Sequence, residues 1–484
     1  MTLRVEELAK QGDKRGLRIV ERNKRAQEEF KDHLPKNVAK IESRIARLER
    51  RIKNIDDNPD PNRPAVNKAR YRNIIESQKK FIKAWTTGSP PIAAGMITDS
   101  MGFEHGYPGH LQLTTQEESK NYFDYLRRMG YNTNSCDVAA CTPPAVFLGD
   151  QAVNEFISAD VTSCYPIILN NLLIAHLTGT AMVAYDKPPQ WNEDALIYMA
   201  QQVEEEIDYL QFLYPEYKFS MDRLIEQQDF QKQSCAIARQ LYDLKRRAPC
   251  PVTGLDAISG GGGKVGAGTT EEMQLALDIQ RMGFEEIQEK SARGFSAVER
   301  FGVEEKARIG WCVSNPFYYD PFTFLEKLGV AMPVWAVDSF EDLYSGRSPD
   351  LGAEEFGRKL TPLEEVARKH NAGWGDRGHH YLNSVINCAK DLHLDGIVFF
   401  KQTGCQPICG LGTVLAERAE QELGIPTLQL EGRQLDQSGF DERELLSTLV
   451  DFTNIMFARQ QRPPLSQKDL ERAGYTDGTY KGWR

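Results

Sequence analysis

The chain has no run of eighteen or more apolar residues, so no segment of it is suited to cross a bilayer as a helix, and an integral membrane protein is not expected. Its start, Met1-Thr2-Leu3-Arg4-Val5-Glu6-Glu7, lacks the apolar stretch and small-residue site of a secretory leader, from which a cytoplasmic location is expected. Nine cysteines are present, but none are paired as Cys-x-x-Cys, which excludes a zinc ribbon and a ferredoxin-type run. In the cytoplasm disulfides are not expected, so these thiols are reduced, catalytic or bound to metal.

Two further absences remove phosphate and nucleic-acid readings. The glycine-rich stretch Ser259 to Thr270 resembles a phosphate loop, but Lys264 is followed by Val265 rather than Ser or Thr and no strand precedes it; a surface or active-site loop is the expectation. Met1 to Trp85 holds 23 Lys+Arg against 13 Asp+Glu, leaving the remainder near −20 of the overall −10. The signs alternate and no aromatic platform accompanies them, so a solvated helical face is expected rather than a nucleic-acid surface.

At 484 residues the chain is too long for one core. In its N-terminal part Ile41, Ile45, Leu48, Ile52 and Ile55 recur at four-three spacing with charges between, which predicts an amphipathic helix over Val38 to Ile55. Asp56-Asp57-Asn58-Pro59-Asp60-Pro61 stops it, and a second helix over Ala65 to Trp85 can fold back on the first. Thr86 to Pro91 then marks the boundary to the main body.

From there strand and helix signals alternate. Strands are expected at Pro91 to Ile97, Phe156 to Asp160 and Thr180 to Tyr185, then at Ala307 to Cys312, Gly329 to Val337, Ile397 to Phe400 and Thr427 to Leu430. Helices are expected over Glu117 to Met129, Glu193 to Leu213, Gln227 to Arg247 and Leu411 to Leu423. This predicts an α/β chain of two doubly wound parallel-sheet (Rossmann- or flavodoxin-like) domains with an N-terminal helical extension, divided as 1–88, 89–300 and 301–484.

The chemistry is expected at Leu394 to Gly410, where a buried strand opens into the loop Gln402-Thr403-Gly404-Cys405-Gln406-Pro407, since open parallel sheets bind ligands at the carboxyl ends of their strands. Cys136, Cys164 and Cys405 each follow a strand-like or helical element in a loop with Gly, Ser or Pro, and they fall in two half-domains. Three converging thiolates would hold an iron–sulfur cluster with one iron open to substrate. Cys235, Cys312 and Cys388 lie inside regular patterns and read as small buried hydrophobes.

Asp395-Gly396-Ile397-Val398, Gly404-Cys405-Gln406, Glu422-Leu423-Gly424-Ile425-Pro426, Glu431 to Asp436 and Phe440 to Met456 resemble, in that order, the C-terminal motifs of the 2-hydroxyacyl-CoA dehydratase family, which includes the benzoyl-CoA reductase subunits. Leu126 to Cys136, Val161-Thr162-Ser163-Cys164-Tyr165 and Arg246 to Gly254 are similar to upstream motifs of that family. The resemblance covers about Pro91 to Phe457 and points to the large-subunit side.

It implies a 4Fe-4S cluster on Cys136, Cys164 and Cys405, an acyl-CoA substrate, a smaller homologous partner subunit and a separate ATP-hydrolysing activator that injects an electron. Water would then leave through a ketyl radical, with Ser100, Glu104 and Glu117 in the positions of the family's hydroxyl and carboxylate groups. His379-His380 reads as structural. Val138, Ala140, Gln402 and Gln406 stand where basic or aromatic residues are usual, which leaves the substrate open. Cys141 and Cys409 leave open a double-cubane 8Fe-9S cluster in a reductase or electron-transfer protein.

Overall fold

The computed structural model describes residues 12, 21, 34–57, 66–87, 96–101, 116–129, 135–148, 156–160, 165–178, 180–188, 190–258, 268–335, 354–372, 379–405, 410–476 and 479–480. The chain divides into two compact units, and the division interleaves. One unit comprises Met1–Ser234, Val265–Ile279 and Asp350–Asp376, and the other Cys235–Lys264, Gln280–Pro349 and Arg377–Arg484.

In the first unit the helices Leu34–Asp57 and Val66–Thr87 form the expected hairpin. Ile41, Ile45, Leu48 and Ile75 are its buried core, with Ile52, Ile74 and Ile82 packed around them. The four-three spacing thus places one apolar stripe against the facing helix and leaves most of the charges outside, Arg44 being the buried exception among the described residues of this helix. Strand β1 (Phe156–Asp160) pairs in parallel with β2 (Ala181–Tyr185), and helix Tyr165–Thr178 makes the crossover between them. Helix Glu193–Leu213 packs on this unit through Leu196, Met199, Val203, Ile207 and Leu210.

The strand expected at Pro91 to Ile97 is not borne out at its last two residues. Met96 and Ile97 belong to a short helix, Met96–Ser100, which takes in the polar residues Thr98 to Ser100 as well. Ile97 and Met101 share the core cluster with Leu196 and Met199, and Thr98 is buried beside them, an i, i+1, i+4 pattern that fits the helical period and not strict alternation. Residues 91–95 lie outside the described set.

The second unit contains a four-stranded sheet: β3 (Ala307–Cys312), β4 (Val330–Trp335), β7 (Gly396–Gln402) and β8 (Thr427–Gly432), in the order β4-β3-β7-β8, all parallel. The antiparallel pair β5 (Glu354–Glu355) and β6 (Arg358–Lys359) belongs to the first unit. All six residues of β3 are buried, as are all but Lys401 in β7. Such continuous burial explains why these strands read as unbroken apolar runs, since a parallel sheet is covered on both faces.

The two central strands are locked at their starts. The Arg308 amide donates to Asp395 Oδ2 (2.8 Å) and the Asp395 amide to Arg308 O (2.7 Å). The Arg308 guanidinium also reaches the Lys245, Arg246 and Arg247 carbonyls and Glu305, thereby capping the orphan carbonyls at the end of helix Met221–Lys245.

Elsewhere in this unit Glu326 accepts from the Gly254 amide (2.6 Å) and Arg300 (2.5 Å), and burial pushes its carboxyl up to about 7. Helix Glu442–Arg459 covers the start of β7 so closely that a Cβ on Gly396 would meet Met456 Sδ at 2.6 Å and Phe452 Cζ at 2.9 Å. Glycine is required there by contact rather than by φ. Gly396→Ala is expected to lower stability by about 1–3 kcal/mol through overpacking, read as an earlier chemical unfolding midpoint; an unchanged midpoint contradicts this packing.

Candidate functional site

Strand order decides where a ligand can enter the second unit. From β3 the chain connects to β4 on one side, whereas from β7 it connects to β8 on the other. The β3–β7 boundary is therefore a topological switch point, and the crevice beyond the carboxyl ends of these two strands is where open α/β sheets bind ligands.

Cys405 stands at that place. The Cys405 amide donates to Gln402 O at 3.0 Å, closing a turn directly off the end of β7. Gly404, with φ +82°, supplies the left-handed residue that a side chain would strain. Thr403 donates to Gly432 O from both its amide (2.8 Å) and its hydroxyl (3.1 Å), tying the turn to the end of β8. Cys405 itself is buried and forms no disulfide.

The loop after β3 is held as firmly. Trp311 Nε1 donates to Ser314 O (2.5 Å), Val313 adopts φ +75°, and the Phe317 amide donates to Gln434 O (2.9 Å) in the chain beyond β8. A β-branched residue in the left-handed region is costly and persists only where its surroundings dictate it.

In the first unit Cys136 is the N-cap of helix Asp137–Phe147, its carbonyl accepting the Ala140 amide at 2.9 Å. An N-cap residue stands at the positive end of its helix. Cys141 lies within the same helix and is fully buried. Asn170, on the helix that begins one residue after Cys164, donates to Ala139 O at 2.7 Å, and Ile174 packs with Val146. The two helices entered through Cys136 and Cys164 are thus packed together, with bonded positions three and six residues from those cysteines.

Cys164 itself, Glu104 and Cys409 lie outside the described residues, as do the side chains of His379 and His380. Among the described residues no three His, Cys, Asp or Glu side chains gather as a metal site. Ser100 is buried at the end of its short helix; its hydroxyl accepts from Gln227 Nε2 (2.8 Å) and its carbonyl from the Ser220 amide (2.9 Å). Glu117 is exposed in the first turn of helix Gln116–Arg128. Its neighbour Glu118 is buried and ion-paired with Lys40 of the N-terminal hairpin. Gln227 and Glu118 were not singled out by sequence, because each is a polar residue in a charged helix with no spacing to mark it.

A family model described as 2-hydroxyglutaryl-CoA dehydratase, D-component, matches residues 92–451. The chain belongs to this dehydratase family. Membership makes it a component of a 2-hydroxyacyl-CoA dehydratase, and the matched span includes both helices entered through Cys136 and Cys164 and the whole Cys405 switch point. No curated protein matches the chain. Among the described residues no helix is long and apolar enough to cross a membrane.

The remaining cysteines of this dehydratase component are of another kind. Burial pushes the Cys250 and Cys388 thiols up to about 12 and the Cys312 thiol up as well. Cys388 Sγ also lies 3.2 Å from Tyr242 Oη. Since the thiolate is the nucleophile, these three are expected to resist alkylation at pH 8 in the native chain and to label on unfolding, as read by peptide mass. Rapid native labelling of any of the three contradicts their assignment as core thiols.

Proposed function

We propose that this chain is the iron–sulfur component of a dehydratase that eliminates water from an (R)-2-hydroxyacyl-CoA through a ketyl radical. The observation that carries the reading is a buried thiol, outside any disulfide, at the switch point of a parallel sheet in a chain of this family. Cys136, Cys164 and Cys405 would hold a 4Fe-4S cluster. The donor chemistry fits: Cys136 and Cys405 are thiols in no disulfide, one at a helix N-terminus and one on a turn closed by backbone bonds. When bound, such a cluster supplies one low-potential electron and an open iron for the substrate.

The protein's own part is to bind, orient and handle protons. The crevice beyond β3 and β7 receives the acyl group. Ser100, held by Gln227, offers a hydroxyl to the substrate, and Glu104 or Glu117 takes the β-proton. A smaller homologous subunit completes a heterodimer, with the N-terminal hairpin as its packing surface, and an ATP-hydrolysing iron–sulfur activator delivers the electron in the cytoplasm.

The test is chemical. Purified without oxygen, the chain is expected to carry about four irons and four sulfides and, with partner, activator and ATP, to convert a 2-hydroxyacyl-CoA to the enoyl-CoA. Cys405→Ala is expected to lose both cluster and turnover. Absence of iron overturns the reading. About eight irons per chain would instead favour a double-cubane reductase using Cys141 and Cys409.

A further inference from the structure

One polar group at the switch point has no partner, and the proposed activity does not yet use it. Asn315 follows β3 in the sequence Val313-Ser314-Asn315-Pro316, is only 6% exposed, and among the described residues its side-chain Oδ1 has no hydrogen-bond partner. The other end of its amide is engaged, Nδ2 donating to Pro316 O at 2.7 Å. That bond fixes which end is oxygen, because the amide oxygen has no hydrogen to donate to the Pro316 carbonyl.

The position of Asn315 follows from the ladder. Its loop leaves the end of β3 and is bonded, through the Phe317 amide, to Gln434 beyond β8. Between β3 and β8 lies β7, so the loop after β3 and the chain beyond β8 meet across the carboxyl end of β7, where the two outer strands stand about 10 Å apart at the usual strand spacing. The turn that carries Cys405 emerges at that same strand end.

A buried carbonyl oxygen without a donor is costly. Here the cost is kept by a rigid frame: the Trp311 bond to Ser314, the left-handed Val313 and the Phe317 bond to Gln434. An unsatisfied acceptor of this kind suits a ligand that brings its own donor, because the bond it forms offsets the cost already carried in the free chain.

We propose that Asn315 is a substrate-binding residue whose Oδ1 accepts a hydrogen bond from the acyl-CoA, either from the 2-hydroxyl of the acyl group or from an amide N–H of the pantetheine arm. The inference rests on the dehydratase reading of this crevice and adds to it the residue that recognises the donor. The Nδ2 bond to Pro316 O holds the loop, whereas the Oδ1 end is the one left for the ligand.

The experiment uses the full chain purified without oxygen, and compares wild type with Asn315→Leu and the smaller Asn315→Ala. Binding of 2-hydroxyglutaryl-CoA and of glutaryl-CoA is measured by calorimetry, with the thermal midpoint of the ligand-free protein alongside. Both variants are expected to keep that midpoint and to bind 2-hydroxyglutaryl-CoA about five- to tenfold more weakly, the size of one lost hydrogen bond. Weakening confined to 2-hydroxyglutaryl-CoA identifies the acyl hydroxyl as the donor, and equal weakening of both ligands identifies the pantetheine amide. Unchanged affinities in variants beside a wild type that binds, or variants whose free midpoint falls while affinity holds, overturn the role of Asn315 alone. A wild type that binds neither ligand overturns the dehydratase reading and this inference with it.

Discussion

The parallel pairing of β3 with β7 is the constraint on which the second unit depends. Two reciprocal bonds between Arg308 and Asp395 set its register at the start. From there the strands run side by side to Cys312 and Phe399, and the connections leave to opposite sides. That divergence opens a crevice at the far end without requiring a cavity in the core. Cys405 owes its place to this geometry: the sheet is closely packed up to Gln402, and one glycine turn later the chain presents a thiol. The closeness of helix Glu442–Arg459 to Gly396 shows how little slack lies beneath it.

The same sheet separates two uses of cysteine. Cys312, Cys250 and Cys388 sit in the second unit's interior, where burial favours the neutral thiol and makes it a packing atom. Cys405 and Cys136 are also buried, yet each lies at the end of a regular element, where backbone amides and turns rather than apolar side chains fix its direction.

Much of this was legible in the sequence, for reasons that can be named. Strands β3 and β7 were visible as apolar runs because both sheet faces are covered, and helix Leu411–Leu423 was bounded by the glycines at 410 and 424. The N-terminal hairpin was visible because one face is wet and the period survives. Helix Asp137–Phe147 was not: it is buried on nearly every side and contains Pro143 and Pro144, so no polar stripe marks its period. Helix Met96–Ser100 was misread as a strand because five residues carry too little periodicity to decide. Asn315 could have been suspected from an Asn-Pro pair directly after a strand, but an unpaired oxygen becomes visible only when its neighbours are placed. The interleaving of the two units follows from contacts between distant segments, which local patterns do not encode.

The central claim is that the Cys405 crevice presents a cluster with one iron open to an acyl-CoA. Mössbauer spectroscopy on the chain loaded with iron-57 tests it most directly. Addition of 2-hydroxyglutaryl-CoA is expected to shift the signal of about one iron in four and leave the others in place. A spectrum that is unchanged by saturating ligand, or one in which all irons already have equivalent thiolate environments, contradicts the account.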